Sequence, residues 1–187
     1  MPDLNGKNVA IIVADFIEDA ELTTPRDELT GAGATVRVYS VSGESVQTVD
    51  GDTEPNQKVD VDGSLHDLDV AAIDALVVPG GTVNADKLRV EERAQDIARE
   101  VAESGKPLAV ICHGPWLLVS AGLAKGRRLT SYPSLSVDIH HAGGDWVDEE
   151  VAGVREGAGG RARLTPPTCS RGRGPAPRKR RMAAPTR

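Results

Sequence analysis

A chain of 187 residues that is 39% apolar can bury one core, and aromatics at 3% leave that core to Val, Ala, Leu and Ile. No apolar run approaches the roughly eighteen residues of a membrane span. The start carries no signal-peptide pattern, and two cysteines, Cys112 and Cys169, make no disulfide framework, so a reduced, cytoplasmic protein without membrane contact is expected. The net charge of −6 conceals two regions, with residues 1–151 at −15 and residues 152–187 at +9. The acidic body excludes a phosphate-bound nucleic acid, and only the tail would hold one, weakly.

From the start, Asn8 to Ala14 is an apolar run of strand length, predicting a central parallel strand. The loop Asp15 to Glu21 leaves its carboxyl end, where open α/β sheets bind ligands. That geometry brings Glu18 toward the site, although in a chain this acidic a solvated carboxylate is the plainer reading. Thr24-Pro25 with Asp27 and Glu28 predicts a helix start, with its end near Gly31 or Gly33. Thr35 to Ser40 reads as the next strand. Alternating valines in 41–63, broken by Gly51, Pro55 and Gly63, predict a β-hairpin, and its aspartates are read as solvated.

Ala75 to Val78 is a third buried strand, closed by Pro79-Gly80-Gly81. Glycines there let backbone approach a ligand, so the Gly81 and His113 amides are candidates for an oxyanion hole; a plain tight turn is the alternative. Glu91 to Ser104 follows as an amphipathic helix. Arg128 to Pro133 reads as a short strand, Ser134 to His141 as a helix, and Trp146 starts another strand. His140 and His141 are sequence neighbours, about 100° apart on a helix, and do not clamp one ion. No metal and no cofactor are assigned.

The stretch that organises the chain is Lys106 to Trp116. Leu108 to Ile111 is a buried strand that stops at Cys112, and His113, Gly114 and Pro115 follow before a second apolar segment. Strand, tight turn and helix form a nucleophile elbow. A helix dipole and an adjacent histidine would favour the thiolate. A cysteine ending an apolar strand is more often inert core, but His and Gly directly after it suit an exposed turn. Cys112 is therefore the leading candidate nucleophile.

These motifs resemble the PfpI family of intracellular cysteine peptidases and general stress proteins. That family belongs to the superfamily of the Parkinson's-disease-associated deglycase and the class I glutamine amidotransferase-like domains. The carrying residues are Asp15 to Asp19, Val78 to Gly81, Ala109 to Pro115, Thr130 to Pro133 and Ala142 to Asp148. The resemblance implies a flavodoxin-like three-layer α/β sandwich with a mostly parallel sheet over residues 1–151. It also implies Cys112 as nucleophile, Glu18 as the acid hydrogen-bonded to it, and His113 as base. Gly81 and His113 match the oxyanion hole, with Tyr132, Gly80 and Gly114 lining the pocket. Asp86 takes the place of an acid that in some members reaches the histidine of a neighbouring subunit, so a homo-oligomer (dimer or hexamer) is implied.

The departure comes after Val151. Residues 152–187 hold 5 Pro and 6 Gly, with Leu164 their only Leu, Ile or Phe. Such a tail is expected to be disordered, and the abrupt shift suggests a change of translation frame that removes the family's last strand and closing helix. Two functions compete. One is an enzyme whose Cys112 attacks a small aldehyde such as methylglyoxal, a glycated side chain or a peptide. The other is a non-enzymatic stress sensor or chaperone, using reversible oxidation of Cys112.

Overall fold

A computed structural model describes residues 3–152 and 168–170. The elements in chain order are β1 (Asn8–Val13), β2 (Ile17–Glu18), α1 (Asp19–Gly31), β3 (Thr35–Ser40), β4 (Val46–Asp50), β5 (Glu54–Val59), β6 (Gly63–Ser64) and β7 (Ala75–Val78). There follow α2 (Thr82–Val90), α3 (Glu92–Glu103), β8 (Leu108–Ile111), α4 (Pro115–Ser120), β9 (Arg128–Leu129), α5 (Ser136–His141), β10 (Asp145–Trp146), β11 (Val151–Ala152) and β12 (Thr168–Ser170). The main sheet has the order β11-β12-β8-β7-β1-β3-β6, parallel throughout except for the β11–β12 pair. This is the expected α/β sandwich.

Alternation along β1 divides its side chains between two cores. Val9, Ile11 and Val13 pack with Leu22 of α1, Val38 and Val77. Ala10, Ile12 and Ala14 pack on the other side with Leu88, Ile97, Val101, Leu117 and Leu118, from α2, α3 and α4. Both faces of the central strands are thus covered, as their unbroken apolar sequence requires. Each fully buried Leu or Ile contributes about 2 kcal/mol.

Four expectations are corrected. The first helix starts at Asp19, not beside Thr24, and Pro25 lies inside it; the proline leaves one backbone carbonyl of the first turn without its amide. A helix not foreseen, α2, begins at Thr82, so Asp86 sits in its second turn rather than at its start. The strand over 128–133 is only two residues long. Finally, Thr168–Ser170, in the stretch expected to carry no strand, pairs in parallel with β8 and antiparallel with Val151–Ala152. The expected disorder and the missing closing helix otherwise lie outside the described residues. On β8, Leu108 and Val110 are fully buried while Ala109 and Ile111, on the α1 face, are half-buried.

One side chain ties the carboxyl ends of β1 and β7 to α2. Asn84 is fully buried. Its Oδ1 accepts from the Ala14 amide at 2.6 Å, and its Nδ2 donates to the carbonyls of Pro79 and Gly80 at 3.1 and 2.8 Å. An Asn84→Leu variant keeps the branched shape and strands three buried backbone groups. It is expected to lose about 3 kcal/mol or more of unfolding free energy in urea titration; a loss below about 1 kcal/mol would show that the three groups find other partners.

Candidate active site

The strand β8 ends at Cys112, whose φ of 55° is in the left-handed region that a residue with a Cβ rarely enters. The turn is held by the Gly114 amide, which donates to the Ile111 carbonyl at 2.7 Å. Cys112 is thereby lifted out of the sheet, though it stays 8% exposed. Its Sγ lies 3.3 Å from His113 Nδ1. The His113 ring stacks on Tyr132 with centroids 4.6 Å apart, and its Nε2 lies 3.4 Å from Thr82 Oγ1. The Tyr132 amide donates to the Cys112 carbonyl, locking that stack to the elbow.

The acid beside the sulfur is Glu21, not Glu18. Both oxygens of Glu18 are taken by the amides of Gly51 and Asp52, at 2.9 and 3.0 Å, in the tip of the β4–β5 hairpin. Glu21, in the first turn of α1, hydrogen-bonds Cys112 and accepts from the Gly80 amide at 2.7 Å. The two acids are three positions apart, and the helix start at Asp19 decides which one turns inward. The sequence offered no way to choose between them without that boundary.

Gly80 is where this arrangement is possible. A Cβ there would sit 2.6 Å from both Cys112 Cβ and a Glu21 oxygen, and 2.9 Å from the His113 amide nitrogen. Gly81, at φ 84°, turns its amide onto the Cys112 sulfur, and a Cβ on it would strike the Glu18 amide at 2.7 Å. Of the two amides expected to form an oxyanion hole, that of Gly81 reaches the Cys112 sulfur, and that of His113 lies beside Gly80. Asp86 is elsewhere: it is exposed on α2 and accepts from Arg89 at 2.9 Å. Besides Glu21, sequence reasoning missed Asp52, whose carboxylate accepts from the Thr82 amide at 2.7 Å. It looked like one more solvated hairpin acid.

Charge in the site differs from expectation. Burial pushes the Cys112 thiol up, and the neighbouring Glu21 carboxylate pushes it further, against the smaller opposing effect of the Gly81 amide. The expected helix dipole is too weak to reverse this, since α4 is only six residues long. Burial also raises Glu21 to about 7, opposed by the Gly80 amide. Burial lowers His113, while Asp52 acts to raise it. Among the described residues, no group of three His, Cys, Asp or Glu side chains is arranged to hold a metal ion.

The model of the DJ-1/PfpI family matches residues 7–158. A protein named a deglycase in Pyrococcus abyssi is 42% identical over 143 residues, 76% of this chain and 82% of that protein. The protein/nucleic acid deglycase 2 of Escherichia coli and general stress protein 18 of Bacillus subtilis are each 37% identical over 146 residues, 78% of this chain and 83% of theirs. The crystal structure of DJ-1beta from Drosophila melanogaster superposes with a TM-score of 0.73 at 28% identity, covering 89% of this chain and 82% of that one.

The raised Glu21 has a consequence for stability. Its folded value, about 7, exceeds the ordinary 4.5, so the folded state holds the proton more tightly. The contribution is fully present below about pH 4.5 and is lost as pH rises through about 7. A Glu21→Gln variant cannot ionise there. Relative to wild type it is expected to gain about 3 kcal/mol of unfolding free energy between those two pH values. Parallel urea curves for the two proteins across that range would contradict the burial of a neutral carboxyl.

Proposed function

Because the chain belongs to the DJ-1/PfpI family, we propose that it is a cysteine-dependent stress-response enzyme acting on electrophilic carbonyls, with deglycase or glyoxalase chemistry on small 2-oxoaldehydes or their adducts. The observation that carries this reading is the contact of Cys112 Sγ with His113 Nδ1 at 3.3 Å, beside the Gly81 amide. A thiol raised by burial needs an acceptor at the moment of attack. His113, kept neutral by its own burial, is that acceptor. Its proton-accepting nitrogen faces the sulfur directly.

In this reading the thiol proton passes to His113 Nδ1 as the sulfur bonds the aldehyde carbon. The carbonyl π pair moves to its oxygen, which the Gly81 and His113 amides receive. Neutral Glu21 donates toward the sulfur side of the adduct. Tyr132, stacked on His113, confines the ring and borders the opening. From the resulting hemithioacetal, proton transfer from the first carbon to the second gives a thioester. Water then cleaves it, returning the thiol and releasing a 2-hydroxy acid. The balance needs water alone, with no redox partner.

The field of the site supports an uncharged substrate. Asp52 and Glu18 flank it, so an anionic aldehyde meets repulsion, while a neutral 2-oxoaldehyde or an adduct on a lysine or arginine side chain does not. Within one subunit Asp86 pairs with Arg89; an acid role for it toward His113 belongs to a homo-oligomer, dimer or hexamer, and the soluble cytoplasmic setting is part of the same reading.

The test is formation of lactate from methylglyoxal without added thiol. Wild type is expected to turn over, and Cys112→Ala to lose activity by at least about a thousandfold. His113→Ala is expected to lose about a hundredfold in kcat. If wild type is inert toward aldehydes while peroxide oxidises Cys112 selectively, the protein is a thiol sensor rather than an enzyme.

A further inference from the structure

Asp52 stands outside the roles assigned so far, yet the chain goes to some length to place it. It sits at the tip of the β4–β5 hairpin with φ 68°, a left-handed conformation rare for a residue other than glycine or asparagine. The tip is clamped from below, since Gly51 and Asp52 give their amides to the two oxygens of Glu18. The Asp52 Oδ1 then accepts the first amide of α2, at Thr82. The same threonine turns its hydroxyl to His113 Nε2 at 3.4 Å. Glu18, Asp52, Thr82 and His113 form a continuous chain that ends on the ring nitrogen opposite the sulfur.

We propose that Asp52 is the in-chain acid of this site: a positioning residue that holds Thr82 against His113 Nε2 and supplies the negative charge facing the imidazolium formed when Cys112 gives up its proton. The proposal rests on the carbonyl-attack reading above and deepens it. It assigns the hairpin a function that a solvated turn does not have. It also completes a Cys112–His113–acid set from one subunit, with Thr82 as the intermediary on the acid side.

The surroundings of His113 support the assignment. On the Nδ1 side stand Cys112 and, beyond it, Glu21. The ring meets Tyr132, stacked, and Trp116, tilted at 5.5 Å, and Arg89 lies over the Trp116 ring at 5.1 Å. On the Nε2 side stand Thr82 and Asp52. Of the charged groups named, Asp52 is the carboxylate whose charge favours the protonated ring, against the burial that disfavours it. The same charge opposes ionisation of Cys112 and of Glu21. It therefore favours moving the proton onto His113 only when the sulfur is being consumed in a bond, not a free resting thiolate.

Asp52→Asn separates the charge from the scaffold. Asparagine tolerates the left-handed conformation and retains an oxygen for the Thr82 amide, so the hairpin and the start of α2 remain. The titration of the His113 ring, followed by NMR of the folded protein, is expected to move to lower pH in this variant. The kcat for methylglyoxal is expected to fall about tenfold with little change in KM, and the acid limb of the rate profile to shift to lower pH. Asp52→Ala should add a loss of thermal stability that Asp52→Asn does not show. A His113 titration unchanged in Asp52→Asn, or one moved by Asp86→Asn instead, overturns the proposal. The NMR titration needs no substrate: if wild type proves inert toward aldehydes, the function reading falls and the titration still decides the place of Asp52.

Discussion

The close approach of the Gly80 backbone to the first turn of α1 is the constraint on which the site depends. With no side chain at that position, Glu21 enters the space between β7 and β8 and takes the Gly80 amide at 2.7 Å. That hydrogen bond satisfies part of a carboxyl that would otherwise be buried at high cost. It also aims the remaining polarity at Cys112. Asn84 secures the same turn from the other side by holding both the Pro79 and Gly80 carbonyls. The amide of Gly80 is thus turned to Glu21 and its carbonyl to α2, so a single residue joins the acid beside Cys112 to the second helix layer.

The parallel sheet was legible because its central strands β1, β7 and β8 are covered on both faces, while β3, exposed at Thr35 and Arg37, still reads as a β-branched run. Asn8–Val13, Thr35–Ser40, Ala75–Val78 and Leu108–Ile111 are short apolar or β-branched runs punctuated by glycine or polar residues, and periodicity alone delimits them. Cys112, His113, Gly80 and Gly81 were legible for the same reason, since they lie where such runs stop. The choice between Glu18 and Glu21 was not. Both acids lie in one loop-to-helix passage, and the inward one is decided by where the helix begins. Thr24-Pro25 carries a strong start signal, but tertiary contacts begin the helix six residues before the proline, with β2 pairing to β4 immediately upstream. Asp52 was illegible for a different reason. Its partner Thr82 is thirty residues away, and nothing local in Asp50-Gly51-Asp52 separates a capping acid from a solvated one.

Electrostatics inside the site follow burial more than dipoles. A short α4 cannot offset the removal of Cys112 from water, and the nearest acid raises the thiol further. Against the expectation of a thiolate, burial and Glu21 both push the Cys112 thiol up, while burial raises Glu21 and lowers His113.

Strain is concentrated where the chemistry is. Among the described residues, the non-glycine positions with positive φ are Phe16, Asp52 and Cys112, and all three border the site. Phe16 carries the carbonyl against which Gly81 packs, Asp52 caps α2 before His113, and Cys112 is the elbow itself. Each such conformation costs on the order of 1–3 kcal/mol and persists only where its surroundings over-determine it. The surroundings here are the three most buried strands, β1, β7 and β8, together with the hairpin clamped on Glu18. Glu18 thus retains a place in the site, although not the one its position in the sequence suggests. It holds the strained tip that holds Thr82, and the Thr82 hydroxyl faces the His113 ring.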